Sequence, residues 1–306
     1  MPRPFYTTLL LSLLILPTAC ADAAGKERTP IYTEKADGPE QVARALEKAQ
    51  FNHKHVLIQW GANWCGWCYK LHEVFEKDEE ISEVLRDGYE VVLINTDHNK
   101  DYVEKLGTEI KGVPFLTVLD AEGNKLTDQD TGSLETGPAH DVPKVLAFLN
   151  RMKPETPTAR EAVDAALKTA KAEEKNVLLT FGAAWCGWCH RFEDYLLEPE
   201  AKALLEKAYV LTKIDTSRMA GAEDLLNKYK EEGGGIPWFA ILDANGEKLI
   251  TSSAPWGNIG YPLEPEGAAY FAEIIEETAP GLSEKEHARL SELLEEKNKV
   301  LRERRQ

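Results

Sequence analysis

Val56-Leu57-Ile58-Gln59-Trp60-Gly61-Ala62-Asn63-Trp64-Cys65-Gly66-Trp67-Cys68 returns later in the chain as Val177-Leu178-Leu179-Thr180-Phe181-Gly182-Ala183-Ala184-Trp185-Cys186-Gly187-Trp188-Cys189. Each copy is an apolar run that reads as a β-strand and ends in Trp-Cys-Gly-Trp-Cys, so its first cysteine falls at a strand-to-helix junction. A thiol there sits among unpaired backbone N–H groups at the positive end of the helix dipole, which favours thiolate over thiol. A second thiol three residues on, roughly one helical turn, comes within bonding distance of the first. Cys65 and Cys186 are therefore the candidate nucleophiles of thiol–disulfide exchange, and Cys68 and Cys189 the candidate resolving thiols.

The register of the repeat persists downstream, where Leu119-Asp120-Ala121-Glu122-Gly123-Asn124-Lys125-Leu126 is matched by Leu242-Asp243-Ala244-Asn245-Gly246-Glu247-Lys248-Leu249. The period is far too long for a solenoid, so each copy is expected to be a domain with its own core. Within a copy a helical pattern (Pro39 to Gln50; Ala159 to Lys171) leads to the motif strand and the active-site helix. A second strand follows at Tyr89 to Ile94 or Tyr209 to Ile214. The β-rich segments from Pro114 and Pro237 turn at Glu122-Gly123 or Asn245-Gly246, which is hairpin chemistry, and a closing helix follows (Asp141 to Arg151; Pro265 to Thr278). Such alternation indicates an α/β sheet. The expected organisation is a signal at 1–24, domains at 25–152 and 159–282 joined by a proline-stiffened linker at 153–158, and a C-terminal helix at 283–306. That helix opens on a Ser283/Glu286 capping box and carries an apolar stripe of Leu290, Leu293, Leu294, Val300 and Leu301, fit to pack on the second domain or on another subunit.

Composition narrows the classes. With 306 residues, 43% hydrophobic and 29% charged, the chain is long enough for two globular domains. A formal net charge of −16 argues against a nucleic-acid partner, since phosphate binding needs a basic surface. At the N-terminus Arg3, the apolar stretch from Leu9 to Leu16 and the small residues Ala19, Ala21, Ala23 and Ala24 have the layout of a secretory signal. Cys20 either leaves with that signal or, since Thr18-Ala19-Cys20 resembles the end of a bacterial lipoprotein signal, carries a lipid that tethers the chain to a membrane. Pro17 stands where the lipoprotein pattern wants Leu. A shared zinc site is disfavoured because zinc ribbons separate their cysteine pairs by roughly 15–20 residues and not by a whole domain. A static disulfide across so short a loop would restrict little of the unfolded chain.

Taken with the Val113-Pro114 and Ile236-Pro237 steps that follow each motif, Trp-Cys-x-x-Cys after an apolar strand resembles the thioredoxin fold, in two tandem copies over residues 39 to 280. The resemblance implies, in each domain, a central mixed β-sheet flanked by helices. It also implies cis bonds before Pro114 and Pro237, with the preceding backbone of Val113 and Ile236 offered to an extended substrate. Two departures stand out. The buried Asp of thioredoxin is replaced by Gln59 and Thr180, and the lysine that neighbours it by Leu93 in the first copy, although Lys213 keeps it in the second. Between the cysteines, Trp67 and Trp188 supply no charge to hold a thiolate, which disfavours a strongly oxidising couple. These two indoles either form a contact surface for unfolded peptide or fold back on their own domains, whereas Trp64 and Trp185 are expected to shield the nucleophile and support the loop. His72 and His190 follow the cysteines but are not shared between copies.

The implied function is a secreted disulfide oxidoreductase, in a bacterial periplasm or cell envelope, that reduces or isomerises disulfides in protein substrates. It would draw on a thiol electron donor and need no cofactor or metal. A second reading is a peptide-binding, chaperone-like or metallo-partner-binding module with secondary redox activity. Intact cysteines in both copies favour the first reading, and the missing buried Asp favours the second.

Overall fold

The computed structural model describes residues 28–230 and 234–304, so the expected signal and Cys20 lie outside the described residues. The first repeat runs α1 (Gly38–Asn52), β1 (His55–Gly61), α2 (Gly66–Lys77), α3 (Glu79–Gly88), β2 (Tyr89–Asn95), α4 (Lys100–Lys105), β3 (Phe115–Leu119) and β4 (Lys125–Asp130). A two-stranded ribbon, β5 (Glu135–Thr136) with β6 (Ala139–His140), and α5 (Val142–Met152) complete it. The second repeat follows the same order: α6 (Ala159–Glu173), β7 (Asn176–Gly182), α7 (Gly187–Leu196), α8 (Pro199–Leu205), β8 (Tyr209–Asp215), α9 (Ala222–Tyr229), β9 (Trp238–Leu242), β10 (Lys248–Thr251), β11 (Ser253–Ala254), β12 (Gly257–Asn258) and α10 (Pro265–Thr278). The C-terminal α11 spans Glu284–Glu303.

Each repeat builds one mixed four-stranded sheet, β2-β1-β3-β4 and β10-β9-β7-β8. The motif strand lies inside the sheet, parallel to β2 or β8 and antiparallel to β3 or β9. Buried on both faces, it reads as an almost continuous apolar run. Alternation then sorts its side chains. Val56, Ile58 and Trp60 pack beneath α1, while Leu57 joins Leu71, Phe75, Ile81, Leu85 and Phe148 from α2, α3 and α5. In the second repeat Val177, Leu179 and Phe181 face α6, and Leu178 joins Phe192, Tyr195 and Phe271 on the α7 face. Both hairpins turn at glycines with φ of +86°, Gly123 and Gly246, where the left-handed region favours a residue without Cβ.

Short helices absent from the sequence reading account for its main gaps. The motif helix stops at Asp78, whose carboxylate accepts from Ile81 N at 3.0 Å and starts α3. One long helical stretch thereby becomes two elements in the parallel crossover. Another finding crosses the repeat boundary. Phe51, at the end of α1, belongs to the core of the second repeat, and Arg218 donates to Asp87 O at 2.5 Å and to Asn52 O at 2.7 Å. Helix α11 lays Leu290, Leu293 and Leu294 into that same second core, with Tyr195 OH donating to Leu290 O at 3.1 Å, so its own chain covers the first part of the apolar stripe, while Leu301 is partly buried and Val300 stays exposed. No helix among the described residues is long and apolar enough to cross a membrane.

Candidate active site

Each cysteine pair is closed as a disulfide, Cys65 to Cys68 and Cys186 to Cys189. Cys65 and Cys186 are the N-cap residues of α2 and α7, and their sulfurs accept from the amides of Cys68 and Cys189 at 3.1 and 3.2 Å. A sulfur in that position is already bonded to one of the unpaired amides of the first turn, the interaction that holds a thiolate once the pair is reduced. Exposure is graded between the two cysteines of each pair, but narrowly. Cys65 and Cys186 are 4% and 6% accessible, against 0% and 2% for Cys68 and Cys189.

The bonds before Pro114 and Pro237 are cis. The carbonyls of Val113 and Ile236 lie 3.5 and 3.7 Å from the sulfurs of Cys65 and Cys186, so the structure brings these residues to the first cysteine of the motif in both repeats. The four motif tryptophans divide in two. Trp67 stands edge-on to His140 at 5.3 Å with the Lys70 ammonium 4.1 Å from its ring centroid, and Trp188 stacks on Tyr261 at 5.8 Å. Each ring thus has a partner on its own domain, although Trp188 stays 37% exposed. Trp64 and Trp185 instead remain 59% and 67% exposed, each pinned by its indole N–H, to Asp97 Oδ2 at 2.7 Å and to Ser217 Oγ at 3.0 Å. They form an apolar rim beside each disulfide more than a cover over it.

Beneath the disulfides the repeats part company. In the first, Gln59 is wholly buried, donates to Tyr32 OH at 2.8 Å and leaves its Oε1 without a partner among the described residues. In the second, Lys213 on β8 forms a buried ion pair with Glu193 on α7 and donates to Asn52 Oδ1, from the first repeat, at 2.5 Å. A Cβ built on Gly182 would lie 3.2 Å from Cys189 Sγ and 3.5 Å from Lys213 Cε, so sulfur and lysine face one another across that glycine. Burial works against charge on Glu193, but the His190 hydrogen bond and the Lys213 ammonium outweigh it and bring the carboxyl down to about 2. Burial likewise pushes the Lys213 ammonium below its ordinary value, partly offset by Glu193.

The second repeat thus regains a carboxylate beside the retained lysine, from the helix and not from the strand position where Thr180 stands. No motif marks Glu193, four residues after Cys189, as the partner of that lysine. A lysine within the apolar strand Tyr209–Asp215 was the available signal. His72 itself is tied to Glu76 at 3.2 Å, and His140, which places Nε2 3.2 Å from Trp67 O, carried no sequence signal.

Comparison with known proteins places this geometry among relatives. A model of the thioredoxin-like family matches residues 38–121 and again 158–244, more than half the chain. The chain is 24% identical over 169 residues to protein disulfide-isomerase erp38 of Neurospora crassa, covering 55% of this chain and 45% of that protein. To protein disulfide-isomerase tigA of Aspergillus niger it is 26% identical over 220 residues, covering 66% and 54%. It spans about half the length of these relatives. Among solved structures, a disulphide isomerase from Xylella fastidiosa Temecula1 superposes with a TM-score of 0.37 at 26% identity, covering 40% of this chain and 96% of that one.

Proposed function

The chain belongs to the thioredoxin-like family, and from that premise we propose that it is a protein-disulfide oxidoreductase that reduces or isomerises client disulfides at two sites. The observation that carries this reading is the repeated placement of a Cys-x-x-Cys pair at a helix N-cap, its first sulfur facing the carbonyl before a cis-proline.

In the reductive direction Cys65 or Cys186, as thiolate, attacks a client disulfide. One client sulfur departs with the electron pair and a mixed disulfide forms. Cys68 or Cys189 then attacks the enzyme sulfur of that bond, restoring the internal disulfide and freeing the second client thiol. The exposed rims of Trp64 and Trp185 supply apolar contact for an unfolded client, and the backbone of Val113 and Ile236 supplies hydrogen bonds to an extended segment. A thiol donor restores the dithiols. Client proteins that keep disulfides are found in oxidising compartments. Relatives named protein disulfide-isomerase and the secretory layout of the N-terminus support that placement, of which a bacterial periplasm or cell envelope, with or without a lipid on Cys20, is the specific form.

Trapping tests the reading. The chain carrying Cys68→Ser and Cys189→Ser should accumulate mixed disulfides with client proteins through Cys65 and Cys186, released by dithiothreitol. Adding Cys65→Ser and Cys186→Ser should abolish them. Adducts that persist without Cys65 and Cys186, or no turnover of insulin disulfides by the unmodified chain, would reject it.

A further inference from the structure

Beneath the first site lies a polar group that the fold leaves with a proton to give. Tyr32 precedes α1 and is drawn under α2 by a backbone clamp. Asn63 Oδ1 accepts from the amides of Ile31 and Tyr32 at 3.1 and 2.9 Å, and Asn63 Nδ2 donates to Tyr32 O at 2.9 Å. Tyr69 OH donates to Thr29 O at 3.2 Å and fastens the same segment. The Tyr32 side chain is buried in one cluster with Cys65 and Cys68. Its oxygen accepts from Gln59 Nε2, which also donates to Cys68 O at 3.4 Å. A hydroxyl that accepts this way still carries one donor. Among the described residues no hydrogen bond uses it. A Cβ added at Gly61 would collide with both the Tyr32 hydroxyl and Cys68 Sγ, so the two converge on one point.

We propose that in the reduced first site the Tyr32 hydroxyl donates a hydrogen bond to Cys68 Sγ and holds it as the thiolate that resolves the mixed disulfide. The assignment rests on the redox reading above and adds a residue to it. In the step itself Cys68 Sγ attacks Cys65 Sγ. The Cys65–Cys68 bond forms, the bond from Cys65 to the client sulfur breaks, and the client sulfur leaves with the electron pair. The proton given up by Cys68 ends on that client thiol, and Tyr32 keeps its own. Burial pushes the Tyr32 phenol above the ordinary tyrosine value, so it stays a donor throughout. The second repeat has Ala184 where the first has Asn63 and meets its buried thiol with Lys213 and Glu193 instead.

The groups around Cys68 that could titrate are few. Helix α2 brings Tyr69 and His72, the latter against Glu76, and β6 brings His140, whose imidazole is lowered by burial. Arg28 stands over the Tyr69 ring. The neighbours from β1, β2 and the segment before β3 are Gln59, Leu93 and Val113, none of which titrates.

The test uses the full chain with Cys186→Ser and Cys189→Ser, which isolates the first site, and reads the rate at which a preformed mixed disulfide on Cys65 is resolved as a function of pH. Tyr32→Phe keeps the shape and removes only the hydroxyl. Loss of a hydrogen bond to a charged sulfur should slow resolution about tenfold at neutral pH and move the midpoint of the profile up by about one unit. The two proteins should converge at high pH, where the thiol ionises unaided, an outcome that a merely structural role would not give. Superimposable profiles would overturn the proposal. Should Tyr32→Phe be inactive at every pH, Asn63→Ala, which frees the backbone clamp, takes its place: the same upward shift supports the proposal and an unmoved midpoint overturns it. Failure of the unsubstituted first site to form any mixed disulfide would instead strike at the redox reading.

Discussion

Glu193 and Lys213 show how one buried pair separates two sites that share a pentapeptide. The pair is closed off from water, braced by Asn52 and by His190, whose imidazole is raised by its hydrogen bond to Glu193. Removing one member of a buried pair leaves the other charge uncompensated, a loss of about 3 kcal/mol. The sign of its pH dependence follows from the carboxyl being more acidic folded, at about 2, than unfolded. Its contribution is complete above the unfolded value of about 4.3 and is lost as pH falls from there toward the folded value. Glu193→Gln should therefore lower stability in urea at pH 7 by about 3 kcal/mol and flatten the fall in stability at acid pH. A variant as stable as the parent, with the same acid dependence, would show that the pair is not ionised in the folded protein.

At the scale of elements, the motif helices begin where a cysteine sulfur replaces the usual capping oxygen, and this fixes Cys65 and Cys186 at the positive helix ends. Helix α11 is fixed by other means. Its Ser283/Glu286 capping box sets the start, and an Arg289 to Glu200 pair at 2.8 Å and an Asn298 bond to Pro262 O at 2.9 Å set its seat on the second repeat. Its far end brings Leu301 and Arg304 to a groove shared with Gly187, Trp188 and Arg191, beside the second disulfide. Leu294→Ala should cost about 2–5 kcal/mol through the cavity it leaves among Tyr195, Phe271 and their neighbours. Thermal unfolding followed by tryptophan fluorescence would read it, and a loss well under 1 kcal/mol would mean that the helix is only loosely seated.

For the whole molecule, the repeats are joined by more than their linker. Phe51 enters the second core, Arg218 bonds back to two carbonyls of the first repeat, and Lys48 meets Asp194 at 2.8 Å. The exposed Lys48–Asp194 pair contributes little, whereas the aromatic contact and the buried bonds contribute most. Phe51→Ala, a substitution in the first repeat, should therefore destabilise the second by about 3 kcal/mol. Hydrogen exchange at the amides of β7 and β9 should quicken accordingly. Exchange that quickens only in the first repeat would mean that the two fold as independent units.

The sequence by itself determined the tandem α/β repeat, the strand-helix junctions and the four cysteines at them, because these depend on local periodicity and on spacing within one helical turn. The closing helix Pro265–Thr278 and the capping box at Ser283 were legible for the same reason. Only the tertiary structure decided what lies under each disulfide. Tyr32 reaches Cys68 from before the first helix, Glu193 reaches Lys213 from a helix on the neighbouring element, and Asn52 arrives from the other repeat. Those contacts join residues distant in the chain, and no local pattern encodes them. The same holds for the partners of the four indoles, Asp97 and Ser217 for Trp64 and Trp185 and His140 and Tyr261 for Trp67 and Trp188, which the repeated pentapeptide does not name and which only the packing of the surrounding loops brings to it.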